Sequence, residues 1–230
     1  MNISICGKYY SLDTKILNIS SKRLKELPAN IIKLKELEQL DCSDNFLENI
    51  NILYNLKKIE FINCNNNKIK NLDYLPNRLI TLFCDSNKIQ YLDNLPIGLK
   101  NLKCSDNNII TLNYLPNGLS NLDCFKNKII NLDNLPYGLT ELNCANNLIS
   151  SLDNLPNTIK FLYCYNNKIR NFNNFPIKLD KLESYPDNPL IYKYYDIEFK
   201  NIIKYRYDFL QCKDNTEYNI VSLLIGYPYL

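Results

Sequence analysis

Along most of this chain the hydrophobic positions fall on a 20-residue period. Leu82, Leu102, Leu122, Leu142 and Leu162 each stand two places before a cysteine, and Ile89, Ile109, Ile129, Ile149 and Ile169 each stand five places after one. Leu72, Leu92, Leu112, Leu132 and Leu152 come at plus eight, followed by Leu-Pro pairs from Leu75-Pro76 to Leu155-Pro156. Inward and outward positions alternate around each cysteine, as in Leu82-Phe83-Cys84-Asp85, which predicts a short strand with one buried face. Proline fixes φ and removes an N–H, so the "LPNGL" segments predict an extended or turn-like return without a proper helix. Asn87, Asn107, Asn127, Asn147 and Asn167 recur three places after the cysteine. There a buried amide can bond the backbone groups that the turn leaves unpaired. One unit cannot bury its own apolar face, so the units must stack into a solenoid whose ends need covering.

The unit reads L-x-x-L-x-C-x-x-N-x-I-x-x-L-[DN]-x-L-P-x-x, and it resembles the leucine-rich repeat with cysteine in the third aliphatic slot. The resemblance covers residues 16–183. It implies an α/β repeat solenoid that is curved, with a parallel sheet on the concave side, mostly extended or turn segments on the convex side, and caps at both ends. The 20-residue units with their Leu-Pro pair are similar to the short class found in bacterial effector proteins. The first units are longer, 23 residues from Ile19 to Cys42 and 22 from Cys42 to Cys64, as in classes with a more helical convex side. Residues 1–15 read as a hairpin cap, two alternating runs joined at Gly7-Lys8. The repeat dissolves at "ESYPDNPL", where Ser184, Asp187 and Pro189 replace the cysteine, asparagine and isoleucine. Residues 184–230 are expected to form a partly helical C-terminal cap.

Composition narrows the function classes. The chain has 230 residues, 46% of them hydrophobic and 22% charged, which describes a folded domain rather than a disordered one. A net charge of +3 gives no electrostatic footprint for nucleic acid or for a membrane surface. The start "MNISICGKYYSLDTK" lacks the basic-then-apolar layout of a secretory signal, and no apolar run is long enough to span a membrane. A cytoplasmic location with reduced thiols is therefore expected, and the protein is expected to be monomeric.

The cysteines at 42, 64, 84, 104, 124, 144 and 164 invite chemical readings. A zinc site needs converging ligands, whereas one thiol per rung makes a line. Disulfides between rungs are disfavoured, because in-register side chains stand about 4.8 Å apart and a disulfide wants Cβ atoms about 3.8 Å apart. The remaining reading is packing, with cysteine as a small hydrophobe in a core slot. Cys212-Lys213-Asp214 matches the Cys-x-Asp nucleophile motif of the ubiquitin-ligase domains that some short-repeat effectors carry. Those domains are large and helical, and few residues follow the repeats here. With no histidine and no phosphate-cradling glycine loop, neither a catalytic centre nor a cofactor is expected.

The outward positions of the strands form a face near 40 Å long, enough for the roughly 800 Å² that a protein partner needs. The residues expected to contact such a partner are Phe61, Phe83, Asp85, Asp123, Phe125, Glu141, Phe161, Tyr163 and Tyr165, aromatic anchors among acidic and amide groups. Ser43 and Ala145 belong to the same rows, and Tyr185 continues the aromatic cluster toward the C-terminus. Lysines at 68, 88, 128 and 168 line one rim, where solubility and edge protection explain them better than a binding stripe does. The function expected is a non-catalytic interaction module binding an unidentified protein on its concave face. The alternatives are an effector-like adaptor in a ubiquitin pathway and a self-associating structural component.

Overall fold

The computed structural model of the protein describes residues 2–170, 176 and 179–183. The expected C-terminal cap over 184–230, with Tyr185 and Cys212, lies outside these described residues. The chain opens with β1 (Asn2–Ile5) and β2 (Lys8–Ser11), an antiparallel pair in which Ile5 faces Lys8. The connecting turn is therefore Cys6-Gly7 and not Gly7-Lys8. Both turn residues have positive φ, 48° and 76°, the geometry a two-residue hairpin needs to match strand twist. Ile3 and Ile5 are buried in the hydrophobic core, while this hairpin forms its own two-stranded sheet.

Among the described residues nine three-residue strands then stack in sequence order into one parallel sheet. They are β3 (Ile16–Asn18), β4 (Gln39–Asp41), β5 (Phe61–Asn63), β6 (Thr81–Phe83) and β7 (Asn101–Lys103). After them come β8 (Asn121–Asp123), β9 (Glu141–Asn143), β10 (Phe161–Tyr163) and β11 (Lys181–Glu183). Register follows the repeat without slippage, with Leu82 beside Leu102 and Leu102 beside Leu122. A one-residue slip would turn every core leucine outward, so the buried face enforces this alignment.

The return segments differ as the unit lengths imply. The two long units each carry a 3-10 helix, Ala29–Lys33 and Asn51–Asn55, which bury Ile31 and Leu53. In the 20-residue units the segment after the Leu-Pro pair is a turn, closed by bonds such as Leu99 N–H to the Pro96 carbonyl at 3.0 Å. Twenty residues leave room for a strand and two tight turns, and a helical turn no longer fits.

The asparagine row holds the turns together. The Oδ1 atom of Asn107 accepts the Ile89 N–H at 2.9 Å, and its Nδ2 donates to the carbonyls of Cys84 at 3.0 Å and Cys104 at 3.1 Å. Each amide thus ties its own rung to the one before, and the same set recurs from Asn67 to Asn167. Two places after each cysteine the backbone is left-handed, with φ between 52° and 55° from Asp44 to Asn166. Asn, Asp and Ser fill most of these positions because their short polar side chains tolerate that region better than bulky ones do.

Candidate functional site

The ladder cysteines are core. All seven from Cys42 to Cys164 are buried, as thiols and not as disulfides. The thiols of Cys64, Cys84, Cys104 and Cys124 lie 3.2–3.4 Å from the carbonyl one place before the next rung's cysteine, where S–H can donate. That same carbonyl accepts the cysteine's own backbone N–H, so Phe83 takes both groups of Cys64. Burial pushes the Cys144 thiol up to about 12, and burial, helped by the Asp41 carboxylate, does the same to Cys42. A thiol held neutral at physiological pH is neither a nucleophile nor a metal ligand. Among the described residues no group of His, Cys, Asp and Glu converges as metal ligands would.

The opposite face of the sheet carries a groove of about 380 Å³ running across β6, β7, β8, β9 and β10. Four of the expected contact residues line it: Phe83, Asp123, Glu141 and Tyr163. Thr81, Asn101, Lys103, Asn121 and Asn143 complete its polar wall, with Leu102 and Leu122 at the base. Phe61 adjoins one end through an edge-to-face contact with Phe83, ring centroids 5.3 Å apart at 79°. Lys103 Nζ stands 4.9 Å from the centre of the Phe83 ring, within cation–π range. Phe161 is exposed on β10, two residues before Tyr163 on the same face, while Phe125 and Tyr165 sit past the strand ends with their rings 6.3 Å apart.

Several outward residues are engaged in holding the backbone. Oδ1 of Asp123 accepts the Ser105 hydroxyl at 2.8 Å and the Phe125 N–H at 3.2 Å. Asp41, Asn63 and Asn143 close the same two-residue turn on their own rungs. Where phenylalanine or lysine occupies that slot, a neighbouring rung supplies the acceptor. Asn65 Oδ1 takes the Asp85 N–H at 2.6 Å, and Asp85 Oδ1 takes the Ser105 N–H at 2.7 Å. This relay releases positions 83 and 103 from backbone duty. The Asp85 carboxyl is raised above its ordinary value, first by desolvation and then by the Asp123 carboxylate. The Ser105 N–H bond, Lys103 and Asn65 oppose that rise.

Two outward expectations are corrected. Ser43 is buried because its hydroxyl turns in to Asp41 at 2.7 Å, and Ala145 is fully covered. Ala145 lies on the rung between Phe125 and Tyr165, whose converging rings roof it over. Phe61, Phe83 and Phe125 are half-buried rather than fully exposed, for the same reason of aromatic pairing. The acceptor relay had no sequence signal beyond the recurrence of Asn, Asp and Ser. The rim lysines Lys68, Lys88, Lys128 and Lys168 are exposed.

A one-strand-per-unit parallel solenoid, an asparagine row and a 20-residue repeat together define a leucine-rich repeat protein. Known structures share this architecture. The functional domain of InlJ from Listeria monocytogenes, described as including a cysteine ladder, matches with a TM-score of 0.67 and 29% identity over 77% of this chain and 40% of that one. The leucine-rich effector protein YopM from Yersinia pestis matches with a TM-score of 0.56 and 26% identity over 70% of this chain and 51% of its own. An internalin, InlF, also from L. monocytogenes, shares the fold with a TM-score of 0.63 at 21% identity, over 72% and 52% of the two chains. The chain thus spans between two fifths and about half of each of these structures. No protein-family model and no curated protein sequence matches it. Among the described residues no helix is long and apolar enough to cross a membrane.

Proposed function

We propose that the chain is a non-catalytic binding module that holds a partner protein against its concave face. The observation that carries this reading is the groove across β6 to β10, into which side chains without a backbone role project, above all Phe83, Lys103 and Tyr163. Its aromatic ends and polar centre have the make-up of a protein-recognition surface, where a few anchors supply most of the affinity. The binding residues proposed are Phe61, Phe83, Asp123, Glu141, Phe161 and Tyr163, with Asp85, Phe125 and Tyr165 flanking them. The ubiquitin-pathway alternative rests on Cys212, outside the described residues, and on likeness to a protein described as an effector.

Affinity capture with the whole chain and with groove variants tests the proposal. Phe83→Ala and Tyr163→Ala remove anchors without touching the core, and the convex Ile97→Asn, at an 85% exposed position, serves as control. Captured proteins should be lost from the first two and kept by the third. Retention of the same proteins by Phe83→Ala and Tyr163→Ala together would sink the concave-face reading.

A further inference from the structure

The charges in the groove are not distributed evenly. Lysines stand at its two ends: Lys103 leans toward β6, over the Phe83 ring, and Lys181 on β11 lies 5.0 Å from the centre of the Tyr163 ring. Its carboxylates, Asp123 on β8 and Glu141 on β9, lie diagonally opposite each other on adjacent strands, since Asn121 is the residue beside Glu141 and Asn143 the one beside Asp123. Two residues along and one strand across place such side chains about 8 Å apart at their roots, a span that one guanidinium can bridge. Lys103 is the in-register neighbour of Asp123 on β7, yet among the described residues neither Asp123 nor Glu141 lies within ion-pair distance of a lysine or arginine, unlike Glu36, Glu38, Glu48, Glu60 and Asp106. What they accept are neutral donors, Ser105 and Phe125 for Asp123 and the Asn121 amide at 3.1 Å for Glu141.

Resting on the concave-face reading above, we infer that the groove recognises an extended basic segment of the partner, seating an arginine or lysine over Asp123 and Glu141. Apolar residues on either side of that cation pack on Phe83 and Tyr163. The fit follows from the order of chemistry along the groove, aromatic at β6, anionic at β8 and β9, aromatic at β10. Side-chain amides at Asn101, Asn121 and Asn143 can both donate to and accept from a peptide backbone. Five strands about 4.8 Å apart make a groove roughly 20–25 Å long, the reach of about seven extended residues. Arginine fits best, because its planar fork can bond both carboxylates at once.

The test is selection of short random peptides on the full-length chain, with binding of the selected peptides then measured against variants. Asp123→Asn and Glu141→Gln remove charge with little risk to folding, since the protein places Asn63, Asn143 and Gln39 in those slots itself. Selected peptides should carry an arginine or lysine flanked by apolar residues. The double variant should weaken them about tenfold or more, the value of a lost charged hydrogen bond. Asp93→Asn on the convex side should leave them unchanged. Neutral or acidic peptides that are lost on Phe83→Ala would overturn the basic-segment inference and leave concave-face binding standing. Basic peptides that bind the groove variants and the native chain alike would overturn both, and a selection that enriches no peptide would overturn the inference.

Discussion

Replacing Asn107 by alanine removes a side chain that serves four backbone groups. Its Oδ1 takes the Ile89 N–H at 2.9 Å, and its Nδ2 faces the carbonyls of Cys84, Cys104 and Ser105 at 3.0–3.1 Å. Asn107 is 8% exposed, so water reaches these groups poorly. A buried polar group left without a partner costs about 1–3 kcal/mol. Two N–H donors are shared among three carbonyls, so three lost bonds at the low end of that range set a loss of roughly 3 kcal/mol. With a urea slope of about 2 kcal/mol/M, the unfolding midpoint should fall by roughly 1.5 M. The matched control is Asn101→Ala on the half-buried outer face, which loses one bond to the Thr81 hydroxyl at 3.2 Å and should cost under about 1 kcal/mol. Asn107→Asp sharpens the comparison, because its carboxylate would still accept from Ile89 but would point its second oxygen at three carbonyl oxygens. That variant should be at least as unstable as the alanine at neutral pH. If Asn107→Ala lowers the midpoint no more than Asn101→Ala, the account of the asparagine row as the backbone's buried partner is wrong.

Burial of the ladder thiols predicts that native protein treated with iodoacetamide near pH 8 is modified at exposed Cys6 and protected from Cys42 to Cys164, as read by peptide mass spectrometry. Cys144 titrates near its ordinary 9.0 when unfolded and near about 12 when folded, so the stability it contributes is intact below 9.0 and drains as pH rises toward 12. The urea midpoint should therefore fall steeply over that alkaline window, and a flat profile there would contradict the buried-thiol assignment. Asp85 obeys the same sign in an acid window: its folded carboxyl is raised, so its charge destabilises at neutral pH and the penalty disappears as acid protonates it in both states. Asp85→Asn, which keeps the acceptor for Ser105, should raise the midpoint at neutral pH and lose that advantage below about pH 4. Tyr114 holds φ of 69° at a slot where Asn94 and Asn134 bond back to Asp73 and Asn113. Tyr114→Asn should stabilise by about 0.5–1 kcal/mol in thermal unfolding, and a loss would refute the strain assigned there.

The period of 20, the cysteine slot and the asparagine row were legible in the sequence because each is a local rule repeated. A repeat amplifies any position whose environment is the same on every rung, and core positions meet that condition. The change from 3-10 helices to turns was also readable, from the repeat classes that the longer first units resemble and from proline in the 20-residue units. The availability of outward residues was not readable, because it depends on contacts between rungs. Phe83 and Lys103 are free to face a partner only because Asn65 and Asp85, on the rungs before them, take the N–H groups that an aspartate in those slots would have taken. Ala145 is a small residue on the rung between Phe125 and Tyr165, whose bulky rings stand 20 residues away on either side. Sequence alone determined the solenoid, since stacking identical apolar faces has one solution. Tertiary structure decided the groove, since its members are separated along the chain by whole units and meet only once the rungs are laid 4.8 Å apart.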